Sequence, residues 1–114
     1  MRVSVLLVSF LFGCSSSSTT PTSPNGSYEC ERYTTTGCEK NVACTISDFG
    51  SCMTQLVKSG VDCSKAPWST ATVDPALTDA CVKDINGATC ATVRDPNSQL
   101  PATCMAWAAQ YKGQ

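Results

Sequence analysis

Histidine is absent from the 114 residues, and that absence removes the Ser-His-Asp triad, the Cys-His dyad, the Cys2His2 zinc finger and any imidazole proton shuttle. Charge is scarce as well: 8 basic residues face 9 acidic ones, 15% of the chain, with no basic run. A chain with net charge −1 offers a polyanion nothing to condense on, so no nucleic-acid partner is expected. No two cysteines lie closer than Cys38 and Cys44, which excludes the C-x-x-C of redox pairs, zinc knuckles and iron-sulfur loops, and no metal is expected. There is no G-x-S-x-G, P-loop or dinucleotide fingerprint. The carboxylates stand singly, and Asp79 and Asp84 beside Lys83 read as a solvated helix face. Together these gaps predict a protein that is not an enzyme and needs no cofactor. Strict alternation of apolar and polar residues over six positions is also missing, which argues against a sheet.

What is present begins at the N-terminus, where Arg2 precedes an apolar stretch from Val3 to Phe12, followed by Gly13 and Cys14. Ten helical residues rise about 15 Å, half of a hydrocarbon core of roughly 30 Å, so the stretch reads as a signal peptide over residues 1–13 and not as a membrane span. Leu11-Phe12-Gly13-Cys14 resembles the lipobox of bacterial lipoproteins. The resemblance implies that Cys14 carries diacylglycerol through a thioether, becomes the new N-terminus and is itself acylated. Such a set of chains exceeds the two signals needed for stable anchoring in a membrane. Ser15 in place of aspartate after the cysteine implies, by the same resemblance, an outer-membrane destination in the cell envelope. Parity agrees with this reading, because nine cysteines less Cys14 leave eight, the even number that an exported disulfide framework requires.

Ser15 to Ser27 holds nine Ser/Thr, two Pro, one Asn and one Gly, a composition that cannot build a core and reads as a flexible tether. Thirteen such residues give a mean span of about 20 Å and a full extension near 45 Å. Residues 14–27 are therefore expected to hold a domain at 28–114 away from the bilayer. Asn25-Gly26-Ser27 matches a glycosylation sequon, but a turn ahead of the domain is the simpler expectation.

Residues 28–114 contain Cys30, Cys38, Cys44, Cys52, Cys63, Cys81, Cys90 and Cys104, a density that signals a disulfide scaffold. Phe49, Cys52, Met53 and Leu56 form one stripe of a helix over 47–58, with Thr45 or Ser47 as cap and Gly60 as stop. Asp74-Pro75 opens a second helix to about Asn86, with Leu77, Ala80, Cys81 and Ile85 on its face and Gly87 closing it. Cys104, Trp107, Ala108 and Tyr111 mark a last helix from near Pro101, after a turn at Asp95-Pro96-Asn97. A short helix is predicted over 28–36, because Thr34-Thr35-Thr36 disfavours a longer one and Gly37 would end it. The predicted fold is all-α, a small disulfide-stapled helical bundle. Trp68 caps its core or, less economically, offers a binding aromatic on a loop.

The symmetric spacing Cys30-x7-Cys38 and Cys44-x7-Cys52 resembles the twin-cysteine helical hairpins in architecture. In such a hairpin Cys30 pairs with Cys52 and Cys38 with Cys44; the rival set, 30 with 44 and 38 with 52, stays open. Eight cysteines allow 105 connectivities. With so few aromatic residues the core is thin, so these bridges should carry much of the stability.

The lipobox, the Ser/Thr tether and helix-embedded cysteines such as Ala80-Cys81 and Pro101-Ala102-Thr103-Cys104 make the chain similar to the small cysteine-rich lipoproteins of unknown function found in myxobacteria-like genomes. The expected role is an envelope-anchored module that presents a rigid domain for interaction with a protein partner or for a structural purpose. The alternative is a small binding module, either a protease inhibitor using a strained loop near Pro67 or a carrier of an apolar ligand. An apolar cavity of several hundred Å³ would favour the carrier.

Overall fold

The computed structural model describes residues 23–112, and over them the chain is all-helical, with no strand among the described residues. Five helices follow in order: α1 Gly26–Ala43, α2 Phe49–Lys58, α3 Pro75–Gly87, α4 Cys90–Arg94 and α5 Ala102–Lys112. Helix α1 packs against α2 and α3, and α3 packs against α5.

Helix α1 is twice the length expected. It passes through Thr34, Thr35, Thr36 and Gly37 without a break, and burial explains why. Cys30, Thr34 and Cys38, at i, i+4 and i+8, form a sealed stripe with 0%, 1% and 0% exposure. Three threonines and a glycine cost about 2–3 kcal/mol of helix propensity. Two disulfides and a buried stripe outweigh that. Thr34 also returns its hydroxyl to the Glu31 carbonyl at 3.2 Å, which lets a polar side chain sit inside.

The helix starts in residues read from sequence as the end of the tether. Asn25 does not cap its own helix; its side chain clasps Val73 in both directions, Nδ2 donating to the carbonyl at 3.0 Å and Oδ1 accepting from the N–H at 2.8 Å. The N–H groups of Asn25 and Gly26 donate to the Ala71 carbonyl. Helical N–H groups that would otherwise be orphaned are thus satisfied by the 71–73 segment. A turn does not describe the Asn25-Gly26-Ser27 site, which is the docking point of the domain's first helix.

The remaining helices obey local rules. Asp48 caps α2 by accepting from Ser51 N at 2.8 Å, and both Ser51 donors hold its carboxyl below the usual carboxylate range. The cap is thus Asp48, not the expected Thr45 or Ser47. Gly60, at φ +104°, ends the helix as expected. Asp74 caps α3 through Ala76 N at 2.9 Å, with Pro75 in the first turn. Thr89 caps α4, a one-turn helix that the sequence did not announce.

The core lies where α1, α3, α5 and the 61–73 segment meet. Trp107 and Tyr111 from α5 are its largest members, at 1% and 2% exposure. Tyr33 stacks on Trp107 with centroids 4.4 Å apart, and Trp68 lies 4.6 Å from the Tyr111 ring. Trp68 also donates its Nε1–H to the Gly60 carbonyl at 2.8 Å, which fits the core-capping reading.

Four disulfides join these pieces: Cys30–Cys63, Cys38–Cys52, Cys44–Cys90 and Cys81–Cys104. The expected pairs 30–52 and 38–44 do not form, and of the rival set only 38–52 does. Continuity of α1 is the reason. Because the helix runs to Ala43, Cys38 and Cys44 are separated by about 9 Å of rise, beyond the reach of one bridge. Helix α2 folds back over the second half of α1 and meets Cys38, while Cys30, one further step of about 12 Å toward the N-terminus, is met by Cys63.

Candidate functional site

The stripe on α2 is the first sign of a site, because the fold covers it only in part. Cys52 is buried, Met53 and Leu56 are half-buried and Phe49, outside the cleft, is 41% exposed. Since α2 packs mainly on α1, its flank toward the 88–101 segment stays open. A cleft of about 510 Å³ occupies that space. Tyr33 and Gly37 of α1, Leu56 of α2, Ile85 of α3, Val93 of α4 and Leu100 of the following segment give it an apolar lining. A volume of this size lies within the roughly 300–1,000 Å³ of small-molecule sites.

Each lining group has a local cause. Gly37 contributes no side chain, and a Cβ built there meets nothing within 4 Å; the helix backbone therefore forms part of the cleft surface. Tyr33 is shared between cleft and core, and burial pushes its phenol above the ordinary tyrosine value. Asn41 also lines the cleft, with Nδ2 3.5 Å from the Cys52 sulfur. Thr92, Ser98 and Gln99 add neutral polar groups to the rim, and Lys40 and Asp95 are its two charged residues.

The wall made by 88–101 is held at few points. Helix α4 buries no residue, and 94–100 are exposed throughout. Its ties to α1 are the Cys44–Cys90 bridge and the Arg94 guanidinium, which donates to the Cys44 carbonyl and reaches Thr45 Oγ1 at 3.4 Å. Thr45 itself stands at φ 55°, a left-handed conformation that a threonine adopts at a cost of roughly 1 kcal/mol. The Asp95-Pro96-Asn97 turn occurs as expected, with Ser98 N on the Asp95 carbonyl at 3.0 Å and Asn97 N on its Oδ1 at 2.9 Å.

The residues singled out in the sequence are distributed differently. All eight domain cysteines are in bridges, and of these only Cys52 lines the cleft. Cys14 lies outside the described residues. Asp79 pairs with Arg32, which also binds the buried Glu29 at 2.8 Å; the Asp79 hydrogen bond is the main cause that raises the guanidinium pKa. Asp84 accepts from Thr103 Oγ1 at 2.7 Å. These carboxylates tie helices together rather than forming a pair in one cleft. Among the described residues no group of three or more potential metal ligands is present, and no helix is long and apolar enough to cross a membrane. Sequence reasoning missed Tyr33, Gly37 and Lys40. The available signal was a glycine inside a helical register, discounted as a stop.

No protein family, no curated protein and no solved structure matches this chain. The reading of the site therefore rests on its geometry.

Proposed function

We propose that this protein is a cell-envelope lipoprotein, anchored in the outer membrane through Cys14, whose disulfide-locked helical domain is a binding module that takes an apolar ligand in the α1–α2–α4 cleft. The observation that carries the binding part is the cleft itself: about 510 Å³, lined by Tyr33, Leu56, Ile85, Val93 and Leu100, beside a helix whose apolar stripe is only partly covered. The anchor rests on Leu11-Phe12-Gly13-Cys14 and on cysteine parity. The inhibitor alternative draws less support, because the loop around Pro67 is tied down. Cys63 is bridged to Cys30, Trp68 packs on the core, and Ser69 and Ala71 donate to the carbonyls of Lys65 and Pro67.

Two measurements test the proposal. Cys14→Ser should move the protein from the membrane fraction to the soluble fraction and abolish acyl labelling; persistence in the membrane refutes the anchor. The neutral fluorophore N-phenyl-1-naphthylamine should brighten with the exported wild-type chain and stay dark with Gly37→Leu, whose side chain projects into the cleft. Equal brightening by both proteins refutes the cleft as the binding site.

A further inference from the structure

The cleft carries charge of both signs at its rim, and the two charges are not equally enclosed: Asp95 is exposed, whereas Lys40 is half-buried. Asp95 directs Oδ1 at the N–H of Asn97, 2.9 Å away, and so closes the turn that it begins. Lys40 projects from the last turn of α1, half-buried, with Nζ 3.0 Å from the Asn86 carbonyl at the end of α3. That contact uses one of the three ammonium donors. No carboxylate lies within ion-pair distance of Lys40 among the described residues, whereas Arg32 has two and Lys65 has one. Arg94, the other cation near this wall, turns to Cys44 and Thr45 and does not line the cleft.

An apolar trough with one anion-free ammonium at its edge is complementary to a molecule that is itself apolar with a single negative end. We infer that the cleft takes a medium-chain monocarboxylate: its carbon chain lies along Leu56, Ile85 and Leu100, and its carboxylate accepts from Lys40 Nζ. This inference rests on the cleft being a binding site and adds the ligand class. Specificity then comes from the head. An alcohol of the same chain fills the trough equally but forgoes a charge-assisted hydrogen bond, and an alkylammonium meets Lys40 with like charge. If Lys40 served only to cap α3 at Asn86, the carboxylate and the alcohol would be bound alike.

Isothermal titration of the exported full chain with decanoate, decanol and decylammonium at pH 7.5 distinguishes these cases. Decanoate is expected to bind at least ten-fold more tightly than decanol, with decylammonium weakest. Lys40→Gln should remove the decanoate advantage while leaving decanol affinity unchanged, Lys40→Arg should keep most of it, and Gly37→Leu should weaken both ligands. Unchanged far-ultraviolet circular dichroism shows that each variant is folded. Equal binding of decanoate and decanol, a decanoate advantage that survives Lys40→Gln, or tighter binding of decylammonium would overturn the carboxylate assignment while leaving the cleft a binding site. Failure of all three amphiphiles to bind would overturn both readings.

Discussion

Gly26 and Gly37 share one helix and make opposite demands on it. A Cβ at Gly26 would lie 2.3 Å from the Trp68 carbonyl oxygen and 2.9 Å from that of Ala71, both backbone atoms that cannot turn aside. At Gly37 the same atom meets open space. Gly26→Ala should therefore destabilise the fold by about 1–3 kcal/mol, the usual cost of overpacking, whereas Gly37→Ala should stabilise it by about 0.5–1 kcal/mol through helix propensity. Urea midpoints of the oxidised proteins at neutral pH check both, and a destabilised Gly37→Ala would contradict the open cleft floor. Tyr111 makes a second prediction at this scale. Its hydroxyl donates to the Gly26 carbonyl at 3.0 Å, and burial, aided by the negative charge of Glu29, pushes its pKa up from 10.0 to about 12. Between those values the unfolded chain releases a proton that the folded chain keeps, so stability is intact below pH 10 and falls as pH rises toward 12. Tyr111→Phe should lose about 1 kcal/mol at neutral pH and show a shallower alkaline decline. Urea titrations from pH 8 to 12 measure the difference.

Among the elements, α3 has a start that is set locally, as do α2 and α4. Asp74 accepts from Ala76 N at 2.9 Å, and its own N–H donates to Gln110 Oε1 of α5 at 2.7 Å. Removing the side chain deletes the first bond and spares the second. Asp74→Ala should cost about 1 kcal/mol, as cap removal commonly does, while Asp74→Asn or Asp74→Ser should retain most of it. Thermal unfolding of the three variants decides the point. Helix α1 is the opposite case, because its length is set from outside. Its interior carries Thr34-Thr35-Thr36-Gly37, and what keeps it helical is the bridge at each end of the Cys30–Cys38 stretch and the seal over Thr34.

For the whole molecule the decisive fact is how the bridges interlock. Cys38–Cys52 nests inside Cys30–Cys63, Cys44–Cys90 crosses both, and Cys81–Cys104 crosses Cys44–Cys90. No part of the chain between residues 30 and 104 is left outside this network. Loops of 14 and 46 residues correspond to about 3 and 4 kcal/mol of lost unfolded-state entropy, against a net stability of roughly 5–15 kcal/mol for a typical domain. Reduction should therefore collapse the helical circular dichroism signal at 25 °C. Alkylation under non-reducing, denaturing conditions should label none of Cys30, Cys38, Cys44, Cys52, Cys63, Cys81, Cys90 and Cys104. A reduced domain that melts like the oxidised one would show that packing alone suffices.

The sequence by itself determined what depends on neighbours along the chain: the helical class, the Asp74-Pro75 start, the Gly60 stop, the turn at Asp95-Pro96-Asn97 and the buried stripe of Cys104, Trp107 and Tyr111. Those signals act over one or two turns, where spacing and capping chemistry are read directly. Only the tertiary structure decided the extent of α1, because the burial that offsets its threonines and Gly37 comes from residues far along the chain. The same holds for the disulfide pairs, since a bridge depends on which Cα atoms lie within about 4.4–6.8 Å of one another. The cleft belongs with them: α2 carries an apolar stripe in either case, and Cys52 and Leu56 of that stripe line a trough only because the 88–101 segment, pinned at Cys90, stands beside them without covering them.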